Sequence, residues 1–238
     1  DSFINSERMS QKDAERLRGR LQWFECFAYG RVAQQALRTI SGIASCGRTQ
    51  SGLTSVELKA LRFLKERVLT APPTKVQPTS LQTWIIFSDG ACEGELEKEG
   101  TVGAVLVSPE GVVCRYFSEK VPQQWMEWFL NTAKHPIFEL ELLPVWMAIC
   151  TWERLVQNSQ CIFYIDNEAA KGALINGATS TPCGKRIIQE FVIREMQLQV
   201  KVWFSRVPTA SNIADKPSRL DTDELDALGV FRDPVDWH

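Results

Sequence analysis

The sequence predicts a mixed α/β protein with a small helical domain in front of it. Three observations carry that expectation: apolar residues at helical spacing before residue 70, a proline-containing break at 71–81, and strand-like runs alternating with helical ones beyond it. Residues 11–29 and 31–44 carry the helical period, and 53–69 follows Thr54-Ser55-Val56-Glu57, which has the form of a capping box. The break holds Pro72, Pro73 and Pro78 with no helical period and reads as an extended linker. Strands are expected at 84–88, 102–107 and 112–117, the last two joined by a turn at Pro109-Glu110-Gly111. A helix near 141–157, a strand at 161–165, helices near 167–176 and 184–197, a strand at 199–204 and a short final helix complete the order. Five strands in one sheet flanked by helices is the predicted architecture. The expected divisions are a helical domain at 1–70, the linker at 71–81, an α/β domain at 82–220 and an acidic tail at 221–238.

Composition narrows the function classes. At 238 residues and 44% hydrophobic content the chain can bury a sizeable core. No apolar run approaches the roughly 20 residues of a membrane span, and no secretory signal pattern is present. The seven cysteines lack C-x-x-C spacing, and with two histidines they make no zinc set. They read as reduced, mostly buried thiols of an intracellular protein, cytoplasmic or nuclear. Asp1 in place of Met predicts a fragment or processed piece. The overall charge of −2 conceals an asymmetry, with residues 1–78 at +6 and residues 79–238 at −8. The basic part, with Arg16, Arg18, Arg20, Arg31, Arg38 and Arg48, suits phosphates or is a solvated helical face.

Four acids sit where this pattern delivers them to one end of a sheet: Asp89, Glu141, Asp166 and Asp215. Asp89 closes the run Trp84-Ile85-Ile86-Phe87-Ser88, and Asp166 closes Cys161-Ile162-Phe163-Tyr164-Ile165, so both are expected at strand ends. Clustered carboxylates repel one another and raise their pKa values, a cost that a hard divalent cation relieves. Taken singly, Asp89-Gly90 is an ordinary turn, and Asp166-Asn167 and Ser211-Asn212 are ordinary helix caps. Glu139 competes with Glu141, but two positions apart on a helix they point about 200° apart, so at most one faces the site. Pro144 is expected to delay or kink that helix.

Ser88-Asp89-Gly90-Ala91-Cys92-Glu93-Gly94 with Val102-Gly103-Ala104-Val105-Leu106, Glu141-Leu142 with Ala148-Ile149, and Ile165-Asp166-Asn167-Glu168-Ala169-Ala170 follow one another in order. They end in Val207-Pro208-Thr209-Ala210-Ser211-Asn212-Ile213-Ala214-Asp215-Lys216-Pro217-Ser218-Arg219. Together they resemble the ribonuclease H domains of retroelement reverse transcriptases, and the last stretch is similar to the hepadnaviral ending. Leu17-Arg18-Gly19-Arg20-Leu21-Gln22 and Gly30-Arg31 resemble, more weakly, the thumb and connection region of DIRS-type and related reverse transcriptases, and His135-Pro136-Ile137-Phe138-Glu139-Leu140-Glu141-Leu142-Leu143 points to the same elements.

The resemblance implies hydrolysis of the RNA strand of RNA/DNA hybrids with two Mg²⁺ ions, for which Mn²⁺ substitutes. Asp89 would bridge the ions, Glu141 and Asp166 would serve one, and Asp215 the other. Gly90, Ala91, Cys92, Asn167, Asn212 and Arg206 are the implied substrate contacts, and a polymerase domain is the implied companion. The family's histidine before the last aspartate is missing; Arg206 and Thr209 stand in that loop. Three rivals remain: a 3′ to 5′ exonuclease, which has D-x-E where Asp89-Gly90-Ala91 stands, a transposase with other acid spacings, and a non-catalytic hybrid-binding or connection module, which would have lost an acid. Trp125, Trp128, Trp146 and Trp152 read as packing rather than base-stacking residues. Residues 118–138 have no assigned role.

Overall fold

The structure is a computed structural model and describes residues 1–46, 51–74, 82–93, 99–132 and 135–237. The chain divides into two compact units, Asp1–Pro78 and Thr79–His238.

The first unit contains α1 (Ser2–Ser6), β1 (Arg8–Met9), α2 (Gln11–Glu25), α3 (Gln34–Ser45), β2 (Ser51–Gly52) and α4 (Ser55–Thr70). Helix α2 begins where Ser10 accepts from Asp13 N, and α4 begins at the capping box, Glu57 reaching Thr54 N at 2.7 Å. Met9, Ala14, Leu21, Leu37, Ile40, Leu61 and Leu64 form the core. Gly30, at φ 88°, takes a backbone form that other residues resist, and lets the chain turn between α2 and α3. Arg67 is sunk at the end of α4, with Nε 3.1 Å from Glu25 and Nη2 donating to the carbonyls of Tyr29 and Gly30 at 2.8 and 2.9 Å. The start of the expected linker belongs here: Ala28 and Pro73 form an antiparallel bridge, and Thr74 N donates to Phe27 O at 2.8 Å. Residues 75–81 of that linker lie outside the described residues.

The second unit runs β3 (Thr83–Glu93), β4 (Glu99–Val107), β5 (Val113–Lys120), α5 (Gln123–Leu130), α6 (Ile137–Thr151), α7 (Glu153–Val156), β6 (Gln160–Ile165), α8 (Glu168–Asn176), α9 (Pro182–Leu198), β7 (Lys201–Arg206), α10 (Asp215–Ser218), α11 (Asp223–Ala227) and β8 (Phe231–Arg232). The sheet order is β7-β6-β3-β4-β5-β8. Strands β3, β4 and β5 are antiparallel neighbours, whereas β6 lies parallel to both β3 and β7. The five expected strands are therefore present, and a sixth joins them. The expected turn is formed, with Gly111 at φ 82° and its N–H donating to Ser108 O at 2.9 Å.

Several expectations are corrected. The sixth strand, β8, pairs in parallel with β5 inside the segment 221–238 that reads as a tail. Asp233 fastens that segment, its carboxylate accepting from Arg115 and from Trp152 Nε1, both at 2.9 Å. Tyr116 donates to Asp226 within the same layer. Helix α6 starts four residues earlier than the sequence predicts, which leaves Pro144 in its interior, yet no late start results. Only Cys161 and Cys183 among the seven free cysteines are buried; Cys26 and Cys46, the residues that close α2 and α3, are exposed. In the unassigned stretch 118–138, α5 brings Trp125 and Trp128 together at 5.6 Å between ring centroids, and Trp125 also meets Trp146 at 5.7 Å. Of the expected acidic loop, Glu93 and Glu99 are opposite one another in the β3–β4 ladder, while Glu95 and Glu97 lie outside the described residues.

Candidate metal centre

Three of the four acids meet. Asp89, Glu141 and Asp166 each present a carboxylate oxygen, and these oxygens all lie within 4.8 Å of one another. Asp166 follows the last residue of β6, as expected. Asp89 does not end its strand: β3 continues to Glu93 along β4, and what ends near Asp89 is the parallel pairing with β6, whose last rung is Phe87 with Tyr164. The acids thus sit where two parallel strands part, and Gly90, Ala91 and Cys92 are strand rather than loop.

Glu141 arrives from the opposite layer on α6. Pro144 has no N–H to return to the Leu140 carbonyl four residues earlier, and that carbonyl faces β3: a Cβ placed on Gly90 would fall 2.2 Å from Leu140 O. A side chain at residue 90 would push the helix away, so Gly90 sets the close approach that delivers Glu141. Glu139 is buried elsewhere on the helix, near enough to Cys183 to add to the effect of burial in raising that thiol's pKa.

Asp215 is seated by a single rung of three strands. Asp89, Gly103 and Ser118 are successive partners across β3, β4 and β5, so their side chains share one face. Ser118 Oγ donates to Pro217 O at 2.7 Å, Gly103 leaves room for Ser218 N, which would lie 2.4 Å from an added Cβ, and Asp89 Oδ2 accepts from Ser218 Oγ. Together they hold α10, whose first residue is Asp215. Asp215 is not part of the three-acid group; its Oδ1 lies 3.4 Å from Arg219 Nη2. Ser218 Oγ is also 2.7 Å from Asp215 O, so one hydroxyl proton faces two acceptors.

The electrostatics follow from burial. Asp89 is 4% exposed and Glu141 6%. Burial first, and then the neighbouring Asp89 and Asp166, push Glu141 up to about 9 against a weaker opposing hydrogen bond from Asn167. Burial also raises Asp89 to about 6; the Ser218 hydroxyl works against this, and Asp166 and Asp215 add to it. Glu141 Oε2 is buried with no hydrogen-bond partner. Hard oxygen donors converging on an unpartnered buried oxygen fit a hard divalent cation, and the absence of thiolate or imidazole among them disfavours softer ions.

The implied substrate contacts are less uniform. Gly90, Ala91 and Cys92 pair with Val102, Thr101 and Gly100 of β4. Asn167 caps α8, accepting from Ala170 N at 3.0 Å, and Arg206 is exposed with Glu168 at 3.8 Å. Asn212 is a correction: it is buried, donates to Ser88 O at 3.2 Å and accepts from Ala214 N, so its amide is spent in tying the last loop to β3. Sequence reasoning missed the hydroxyls. Ser218 lay within the quoted ending without a role, and Thr209, which donates to Asp166 Oδ2 at 3.0 Å, was noted only as replacing a histidine. The recurrence of hydroxyl residues on either side of Asp215 was the available signal.

No protein-family model matches the chain, and no curated protein matches it in sequence. Among solved structures it is similar to the N-terminal RNase H domain of a Mycobacterium tuberculosis protein, at 14% identity over 63% of this chain and 100% of that one, with a TM-score of 0.48. It is also similar to RNase H1 of Halobacterium salinarum, at 16% identity over 60% of this chain and 98% of that one, with a TM-score of 0.42. A third is LC11-RNase H1 isolated from compost, at 15% identity over 61% of this chain and 99% of that one, with a TM-score of 0.44.

Proposed function

We propose that the chain hydrolyses the RNA strand of RNA/DNA hybrids, using divalent cations held by Asp89, Glu141 and Asp166 with Asp215 as the fourth acid. The observation that carries this reading is the three-carboxylate group, with Asp89 and Glu141 buried, Asp166 half-buried and Glu141 Oε2 unpartnered. A structural role would pair that oxygen or leave it in water, because a buried polar group without a partner costs about 1–3 kcal/mol. Bound there, Mg²⁺ or Mn²⁺ would polarise the scissile phosphate and lower the pKa of an attacking water.

The chain's own residues position the donors. Ser218 fixes one oxygen of Asp89 and Thr209 one of Asp166, Asn212 ties the loop before Asp215 to β3, and Arg219 lies against Asp215, the acid that would hold a second cation. Beyond Phe87 no described strand flanks β3 on the β6 side, so a peptide group of Gly90 or Ala91 points away from the sheet. Such groups suit the 2′-hydroxyls of the RNA strand, which lie in a wide, shallow minor groove. Asn167 and Arg206 flank Asp166 and meet the adjoining phosphates. The ending at 207–219 favours a retroelement reverse transcriptase as the larger protein, with a polymerase domain as companion and an intracellular site of action.

The test is cleavage of a hybrid labelled on its RNA strand, with Mg²⁺ and with Mn²⁺, beside duplex DNA and duplex RNA. Hybrid-specific cutting that falls at least about 100-fold in Asp166→Asn is the expected result. A folded protein that binds the hybrid and cuts with neither metal overturns it in favour of a non-catalytic binding module.

A further inference from the structure

Helix α2 has one face that no described residue of its own unit covers. Ala14 and Leu21 turn inward, and on the opposite side Lys12, Arg16, Gly19, Arg20 and Trp23 recur at spacings of three and four, within about 100° of arc. All five are exposed. Trp23 is 69% exposed and Phe27, just past the helix, 57%; their rings meet edge to face at 4.9 Å between centroids.

The charges on this face are free to act outward. No described residue forms an ion pair with Lys12, Arg16 or Arg20; Glu25 is paired with Arg67, while Asp13 and Glu15 accept from the neutral Ser10 and Gln11 and leave the face with a surplus of positive charge. At Gly19 no described residue lies within 4 Å of the position a Cβ would take, so the backbone between Arg16 and Arg20 is open to an approaching chain.

We propose that this face binds single-stranded nucleic acid, with the sugar-phosphate chain running along Lys12, Arg16 and Arg20 over Gly19 and a base stacked on Trp23, braced by Phe27. Cations in file with an exposed indole are the chemistry of a stacking platform on a cationic track. An acidic peptide would use the cations and leave the indole face bare. A duplex presents its bases edge-on and has no face to give Trp23. The track from Lys12 to Trp23 is about 17 Å long, a short site of a few nucleotides. This surface does not depend on the hydrolysis reading.

The experiment measures binding of the full chain to labelled oligo(dT), oligo(U) and a blunt RNA/DNA hybrid by fluorescence anisotropy in EDTA. Trp23→Ala is expected to weaken single-strand binding about tenfold or more and hybrid binding less than about twofold. Arg16→Ala with Arg20→Ala should reduce the single-strand salt slope by about 1.4. Gly19→Ala should raise the melting temperature while weakening single-strand binding, a combination that a purely structural glycine would not give. The proposal is overturned if Trp23→Ala binds single strands as the parent does, if single-strand and hybrid binding fall together, or if poly-glutamate competes as well as an oligonucleotide of equal charge.

Discussion

Glu141 and Asp89 pose a problem that each solves only in company. With their pKa values raised to about 9 and about 6, the folded protein holds protons that the unfolded chain releases from near pH 4.5 and 3.8 upward. Stability from these two groups is therefore fully present below pH 4 and is lost as pH rises through 6 and then 9. In EDTA the melting temperature should fall between pH 5.5 and pH 8.5 by an amount worth at least about 1 kcal/mol, roughly 3 °C, and Mg²⁺ should restore it at the higher pH. Glu141→Gln should flatten the profile and abolish the Mg²⁺ effect; a profile unchanged by that substitution would mean another group titrates. Ser218→Ala leaves Asp89 Oδ2 without its donor. It should weaken Mg²⁺ binding, read by calorimetry, about tenfold and lower kcat more than it raises KM. The acids were legible in the sequence because their chemistry announces itself. Ser218 was not, since a hydroxyl acts only through what lies beside it, here a residue 129 positions away.

Elements show why some boundaries could be read and others not. The caps of α4 and the Gly111 turn are local, decided within four residues, and the sequence states them. The interior position of Pro144 is a tertiary outcome: the helix continues because Leu140, Leu142, Leu143, Val145 and Ile149 are buried where it packs on β3 and β4, and the freed carbonyl is placed against Gly90. The same logic applies to Gly103, where the constraint is the backbone of α10. Gly103→Ala should cost about 1–3 kcal/mol and, by displacing Asp215, reduce cleavage further than the stability loss explains; thermal melts and single-turnover rates read the two separately. In the first unit, Arg67→Ala strands Glu25 in the interior and should cost about 3–5 kcal/mol in chemical denaturation, whereas an exposed arginine such as Arg62 should cost little.

On the scale of the whole molecule, the five-strand order was legible because each strand carries its own pattern, but β8 was not. Two residues are too few to show a period, and the segment's acidic composition reads as solvent-facing. Its place is fixed instead by side chains from far away, Arg115 and Trp152 converging on Asp233. Asp233→Ala should lower stability by about 1–3 kcal/mol, and removal of residues 222–238 should do more, exposing the outer edge of β5. An unchanged melt in the point variant would show that strand pairing alone holds the segment. The fastening has a further consequence in time. A ribosome delivers the chain from its N-terminus, so Asp89, Glu141 and Asp166 emerge before α10 and well before Asp233. The acid cluster gains its seat on α10 only after synthesis has passed Ser218, and the fastening at Asp233 comes later still.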